Sequence, residues 1–304
     1  MSPPVLLIGF NRPELLSAVI DRVRAARPDR VYLAVDGPRP DRPDETARVR
    51  ACRELAHAID WGAQVHSLFR ESNVGCGRGV SGAVSWFLEH EESGIILEDD
   101  ILPDPTFFPY AAQMLQRYDT DTRAVAVTGT NLVPPEHITG DGPYRFSRVP
   151  NVWGWATWRR AWQHYRFDVA GWRGRLPLRR AWPAMGGTWQ SYLLWSANFD
   201  LMARHAVDTW DLQLVCAAMT SGLLTVTPNV NLVQNAGFGG DATHTHRRPD
   251  YLRPVEPMPG LLPALASVPV RLDEQADAWL MRQAYGATLP GLARQAWRAA
   301  SRLR

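Results

Sequence analysis

The sequence predicts an α/β protein: a doubly wound, mostly parallel open sheet with helices on both faces. Three observations predict it. Short apolar runs recur through the first 130 residues, continuous enough for strands covered on both sides. Stretches with apolar residues at helical spacing lie between them. Gly, Pro, Asn and Asp punctuate the joins. Alternation of this kind argues for parallel strands linked by helical crossovers.

Val5–Phe10 is the first apolar run. Leu15, Leu16, Val19, Ile20 and Val23 then fall at helical spacing through Pro13–Ala25, with Asn11 as a cap and Pro13 near the first turn. Arg30–Val35 is a second strand, stopped by Asp36-Gly37-Pro38. An amphipathic helix is expected through Thr46–Ile59 and a third strand at Gln64–Arg70. The glycine-rich turn Asn73-Val74-Gly75-Cys76-Gly77-Arg78-Gly79 feeds a helix through Val80–His90. Gly94–Leu97 is a fourth strand, Pro105–Tyr118 a helix and Ala124–Thr128 a fifth strand. The second half changes character, with nine of the 13 Trp between Trp153 and Trp210. Residues 1–250 are expected as one domain in two halves, 1–130 and 131–250, and residues 251–304 as a C-terminal extension.

Bulk numbers exclude several classes. The 304 residues carry 33 Lys plus Arg against 31 Asp plus Glu, a formal net charge of +2. Nucleic acid is therefore not an expected partner, because no large positive field opposes phosphate. All 33 basic residues are arginine. Without lysine there is no Schiff-base lysine and no phosphate-loop lysine. Phosphate recognition falls to arginine, backbone amides or a metal. The three cysteines form no CxxC pair, which indicates neither a disulfide framework nor a zinc site. No stretch reaches the ~18 apolar residues of a membrane span. The start, MSPPVLLIGFNRP, reads as a buried strand rather than a signal peptide. A cytoplasmic protein is expected.

The strongest local signal is Glu98-Asp99-Asp100 directly after the apolar GIIL strand. Three adjacent carboxylates at a strand end repel one another and resist desolvation. A hard divalent cation, Mn²⁺ or Mg²⁺, would relieve the repulsion, usually shared with substrate phosphate. Ligands of open α/β sheets sit beyond the carboxyl ends of strands. A solvated acidic turn is the plainer alternative. Asp36 also follows an apolar strand, where it either meets a nucleotide or makes an Asp-Gly turn. Arg78, in the glycine-rich turn, either meets a diphosphate or lies on the surface.

The succession of FNRP, AVDG, NVGCGRG, GIILEDDILPDPTFF, WDLQ and NLVQNAGFGGDATHT resembles the GT-A glycosyltransferases. More narrowly, it resembles bacterial relatives of the N-acetylglucosaminyltransferase I group. The resemblance runs from about Val5 to His246. It implies a GT-A-like fold and a metal-dependent inverting transfer of a sugar from a nucleotide-diphosphate donor, UDP-linked by the same resemblance, to a hydroxyl of a glycan or glycosylated metabolite. Asp100 would hold the metal, with His244 or its neighbour His246 as a second ligand. Phe10, Asn11, Arg12, Asp36, Arg78, Glu98, Asp99 and Arg247 would bind the donor. Asp211 would be the general base, with Asp208 as rival; Asp211 could equally be a helix cap.

The Trp-rich segment has two readings, an aromatic acceptor platform or core. Trp155, Trp158 and Trp162, at i, i+3 and i+7, are read as one helical stripe. Trp153, Gly154, Trp155, Trp189 and Trp210 are the acceptor-side candidates. The tail carries Leu289, Leu292, Ala296, Trp297 and Ala300 beside Arg294, Arg298, Arg302 and Arg304. It is either a terminal helix docked on its own domain or a basic amphipathic helix touching a membrane. Two other functions stand beside the transferase: a non-catalytic carbohydrate-binding or scaffold protein, and a sugar nucleotidyltransferase. A GxGxR loop with a following lysine, typical of the last class, is missing after the first strand.

Overall fold

The computed structural model describes residues 2–238, 251–258, 260 and 265–302. Eight strands form one sheet in the order β3-β2-β1-β4-β8-β6-β9-β7. They are β1 (Val5–Gly9), β2 (Arg30–Val35), β3 (Gln64–Phe69), β4 (Ser93–Glu98), β6 (Ala124–Thr128), β7 (Tyr144–Ser147), β8 (Trp155–Trp158) and β9 (Leu224–Pro228). A separate antiparallel ribbon pairs β5 (Ile101–Pro103) with β10 (Val233–Asn235). The helices are α1 (Pro13–Ala26), α2 (Glu45–Glu54), α3 (Cys76–His90), α4 (Phe107–Arg117), α5 (Arg159–Trp162), α6 (Trp172–Arg175), α7 (Leu178–Ala184), α8 (Trp189–Ala203), α9 (Asp211–Ser221), α10 (Glu274–Gln283) and α11 (Leu289–Arg302).

The expected α/β architecture is present. β3, β2, β1 and β4 run parallel, as do β6 and β9. β8 enters antiparallel between β4 and β6, and β7 is antiparallel to β9. The five predicted strands are β1, β2, β3, β4 and β6. β1 and β6 are buried at every position, and each fully buried Val, Leu or Ile contributes ~1.5–3 kcal/mol.

Several local expectations change. Arg12, not Asn11, occupies the N-cap position of α1, and it makes no side-chain capping bond. Asn11 instead donates its amide to Glu45 Oε1 at 3.2 Å. The helix expected through Thr46–Ile59 ends at Glu54 and tightens into a 3₁₀ turn, Leu55–Ala58. The Trp stripe is not helical. Trp155 and Trp158 lie on β8, where a spacing of three puts side chains on opposite faces, and only Trp162 is on a helix. All three are buried. Trp155 stacks on Trp210 with centroids 5.4 Å apart, while Trp158 donates its indole N–H to Leu115 O at 3.1 Å.

Two apolar cores result. The larger covers both faces of the sheet. The smaller joins α6, α7, α8 and α9 to α10, with Trp195, Phe199, Met219, Ala276 and Leu280 among its members. Chain beyond residue 251 is therefore built into the second half. Leu272 bridges to Phe146, and Asp277 accepts from the Ser147 hydroxyl and from Arg148. Among the described residues, no helix is long and apolar enough to cross a membrane.

Candidate functional site

Four carboxylates and one guanidinium gather beyond the carboxyl ends of β1 and β4. β4 pairs with β1 so that Ile8 stands opposite Glu98. The chain leaving β1 therefore brings Arg12 against the residues leaving β4. Arg12 Nε and Nη2 donate to the two oxygens of Asp99, and Nη1 lies 3.1 Å from Asp100 Oδ2. Asp99 is buried, whereas Glu98 and Asp100 are partly open. Burial alone would lower the Arg12 guanidinium, but Asp99 and Asp100 outweigh it and hold it above its usual range. Burial pushes the Asp99 carboxyl up, against the pull of Arg12. Glu98 is raised to about 8 by burial first, then by Asp100, Asp99 and Asp211. Asp211, at the start of α9, thus acts electrostatically on Glu98.

Asp211 is the first residue of α9, after Trp210. Its Oδ1 accepts the Thr209 hydroxyl and, at 2.9 Å, the N–H of Leu212. Its rival Asp208 has a different task. The exposed Asp208 carboxylate accepts the N–H of Cys76 and of Gly77, both at 2.8 Å. These are the first amides of α3. The glycine-rich turn is shaped for that approach. Gly75 holds φ +85°, and a Cβ there would stand 2.6 Å from Asp208 Oδ2; at Gly77 the distance to Oδ1 would be 2.8 Å. The anion seat at the α3 N-terminus is thus filled by the protein's own carboxylate, supplied from 131 residues away. No spacing in the sequence announces this pairing.

Asp36 is equally committed to the turn. It accepts from Val74 N–H at 3.1 Å and Gly37 N–H at 3.0 Å. Burial raises its carboxyl, and these two amides offset part of the rise. Arg78 is exposed and lies over the Phe167 ring, 4.8 Å from the centroid. Phe10 is partly buried and faces Arg39 at 5.7 Å.

On the other side of the triplet, the β5–β10 ribbon carries the chain back over Asp100. Ala236 N–H donates to Asp100 O at 2.8 Å. Phe238 meets Trp153 edge to face, 6.0 Å between centroids. Trp153 is partly buried and its carbonyl accepts the Thr130 hydroxyl. Gly154 turns the chain with φ +61°, in contact with Val233. Asn151, behind them, accepts from the Tyr285 hydroxyl at 2.9 Å. Tyr285 lies far from the motifs in sequence and had no signal there. Trp155 and Trp210 are buried and stacked, so they present packing faces rather than an open platform. Trp189 is exposed at the start of α8. His244, His246 and Arg247 lie outside the described residues.

Carboxylate oxygens are the right donors for Mg²⁺ or Mn²⁺. Among the described residues, however, no three His, Cys, Asp or Glu groups converge as a cage. Arg12 engages both Asp99 and Asp100, so an ion at Asp100 would share that carboxylate with the guanidinium and take its remaining ligands from substrate phosphates and water.

No protein-family model matches the chain, and no curated protein matches it. Solved structures do. The apo form of a UDP-glucose pyrophosphorylase matches at TM-score 0.39 and 8% identity, over 77% of this chain and 92% of its own. The inositol-1-phosphate CTP transferase from T. maritima matches at 0.36 and 10%, over 75% and 85%. HddC from Yersinia pseudotuberculosis matches at 0.32 and 7%, over 52% and 77%. These likenesses are too distant to assign an activity. They correct the family expectation nonetheless: the similar structures are a pyrophosphorylase and a CTP transferase, where the motifs had suggested GT-A glycosyltransferases of the N-acetylglucosaminyltransferase I group. The inverting glycosyltransferase function that followed from that resemblance is set aside with it.

Proposed function

We propose that this protein is a nucleotide-dependent transferase of the nucleotidyl-transfer class, acting on a nucleotide or nucleotide-sugar with Mg²⁺ or Mn²⁺ shared between Asp100 and the substrate phosphates. The observation that carries it is the meeting of Arg12 with Asp99 and Asp100 at the adjoining ends of β1 and β4, with Glu98 and Asp211 in electrostatic reach. A site with this carboxylate excess holds phosphate only with added positive charge. When bound, the ion would neutralise charge on the departing phosphate.

The chain's own residues do the rest. Among the described residues Arg12 is the guanidinium bonded to the triplet, and phosphate oxygens can compete with Asp99 and Asp100 for its planar fork. Asp99, buried, keeps Arg12 oriented. Asp211, fixed by Thr209 and Leu212, keeps a carboxylate facing Glu98. A phosphate-oxygen nucleophile needs no base, so nucleotidyl transfer asks of the site only alignment and charge neutralisation.

The test incubates the protein with nucleoside triphosphates and sugar 1-phosphates, with Mg²⁺ or with EDTA, and follows pyrophosphate release and melting temperature. Stabilisation by a nucleotide with Mg²⁺, lost in Asp100→Ala, supports the proposal. If no nucleotide stabilises the protein under either condition, the reading fails. Arg12's engagement of both aspartates also favours a second reading, a chain that binds nucleotide without turning it over. In that case nucleotides stabilise the protein equally with EDTA, and no pyrophosphate appears.

A further inference from the structure

α7 and α8 form a hairpin through Gly186-Gly187, whose φ angles are +103° and +67°. Each helix turns an i, i+4 apolar pair to solvent rather than to the core. On α7 the pair is Leu178 and Trp182, 62% and 42% exposed; on α8 it is Trp189 and Leu193, 46% and 47% exposed. The pairs are continuous, because Trp182 reaches the half-buried Tyr192 ring at 6.3 Å. Scattered exposed apolar residues need no account, but two Trp and two Leu on one hairpin form a patch. Leu289, 64% exposed, opens α11, which packs along α8 through a Gln295–Asn198 hydrogen bond of 2.7 Å.

The charge along the hairpin's own stretch of chain has one sign, while Glu274 of α10 lies beside its Gly186-Gly187 turn. From Val169 to Phe199 there is no acidic residue, while Arg173, Arg175, Arg179 and Arg180 all fall there and are exposed. Among the described residues, only Arg173 of these four has a carboxylate partner, Asp200. Arg175 and Arg180 donate to backbone carbonyls, which leaves their charge uncompensated.

The geometry points to this hairpin as a docking surface for an anionic lipid bilayer. Trp and Leu would enter the headgroup boundary, and the arginines would face lipid phosphates. A second copy of this chain is a poorer occupant. A two-fold interface would set the same arginine rim against itself. The inference is independent of the proposed reaction.

The test is co-sedimentation of the full chain with vesicles of phosphatidylcholine, and of phosphatidylcholine with phosphatidylglycerol. Partitioning onto the anionic vesicles should be roughly tenfold stronger and should weaken with added salt. The Trp182→Ser/Leu193→Ser variant should lose roughly tenfold, and Leu178→Ser/Trp189→Ser should do likewise. All four positions are exposed, so unchanged melting temperatures would show the variants to be folded. No binding to anionic vesicles, or binding that both variants retain, overturns the inference. So does a concentration-dependent dimer, seen by light scattering without vesicles, that these substitutions dissociate.

Discussion

Replacing Asp208 tests the account of the site most directly. Its carboxylate bonds two amides at the α3 N-terminus, each at 2.8 Å. Loss of an N-cap acceptor typically costs ~0.5–2 kcal/mol, and a charge at the dipole adds ~0.3–1 kcal/mol when exposed. Asp208 is exposed, so water can reach the freed amides and the upper limits do not apply. Asp208→Ala should therefore destabilise the protein by about 1–2 kcal/mol. Asp208→Asn, which keeps an acceptor oxygen but no charge, should cost about half of that. Urea unfolding measures the change, and the melting temperature should fall by about 2–5 °C. Hydrogen exchange at Cys76 and Gly77 should accelerate in Asp208→Ala. A variant that unfolds within about 0.5 kcal/mol of the parent, with those amides still protected, would refute the capping role. It would return Asp208 to the residues available for chemistry, since functional carboxylates often cost stability rather than add it.

Glu98 sets a pH dependence. Its carboxyl is raised from 4.5 to about 8, so folding favours the protonated form. That contribution is complete below pH 4.5 and is lost as pH rises towards 8. Glu98→Gln should flatten the profile over this range and should be the more stable protein at pH 8, by up to about 3 kcal/mol given the group's partial exposure. Equal pH profiles for the two proteins would exclude the shift. Gly154→Ala combines a φ of +61° with a Cβ placed 2.7 Å from Val233 Cγ1, so it should destabilise by about 2 kcal/mol or more in chemical denaturation. Wild-type stability in that variant would show that the turn relaxes freely.

Legibility in the sequence followed the range of the interaction. β1, β2 and β6 could be placed nearly to the residue, because strands buried on both faces declare themselves as apolar runs. The β4 carboxylates were visible for the same reason: they interrupt such a run. β8 was misread as helix, because a short strand buried on both faces shows no alternation and its Trp residues at i and i+3 match the helical period instead. The start of α3 was placed four residues late, at Val80 rather than Cys76. Glycine argues against helix unless something distant caps it, and here Asp208 does. The family resemblance failed differently. Short acidic and glycine motifs recur in unrelated chemistries, and here the glycine turn seats the protein's own Asp208.

Taken alone, the sequence determined the α/β alternation, the carboxylate triplet at a strand end, the reliance on arginine and the concentration of tryptophan in one region. Each is a property of neighbouring residues, set by periodicity, burial and charge. Tertiary structure alone decided which groups meet. It paired Arg12 with Asp99 across 87 residues and with its neighbour Asp100, seated Asp208 on the glycine turn across 131, and buried Trp155 and Trp210 against each other. It also left Trp182 and Trp189 outside. Those outcomes depend on the order of strands in the sheet, which brings distant segments to one edge and which no local pattern encodes.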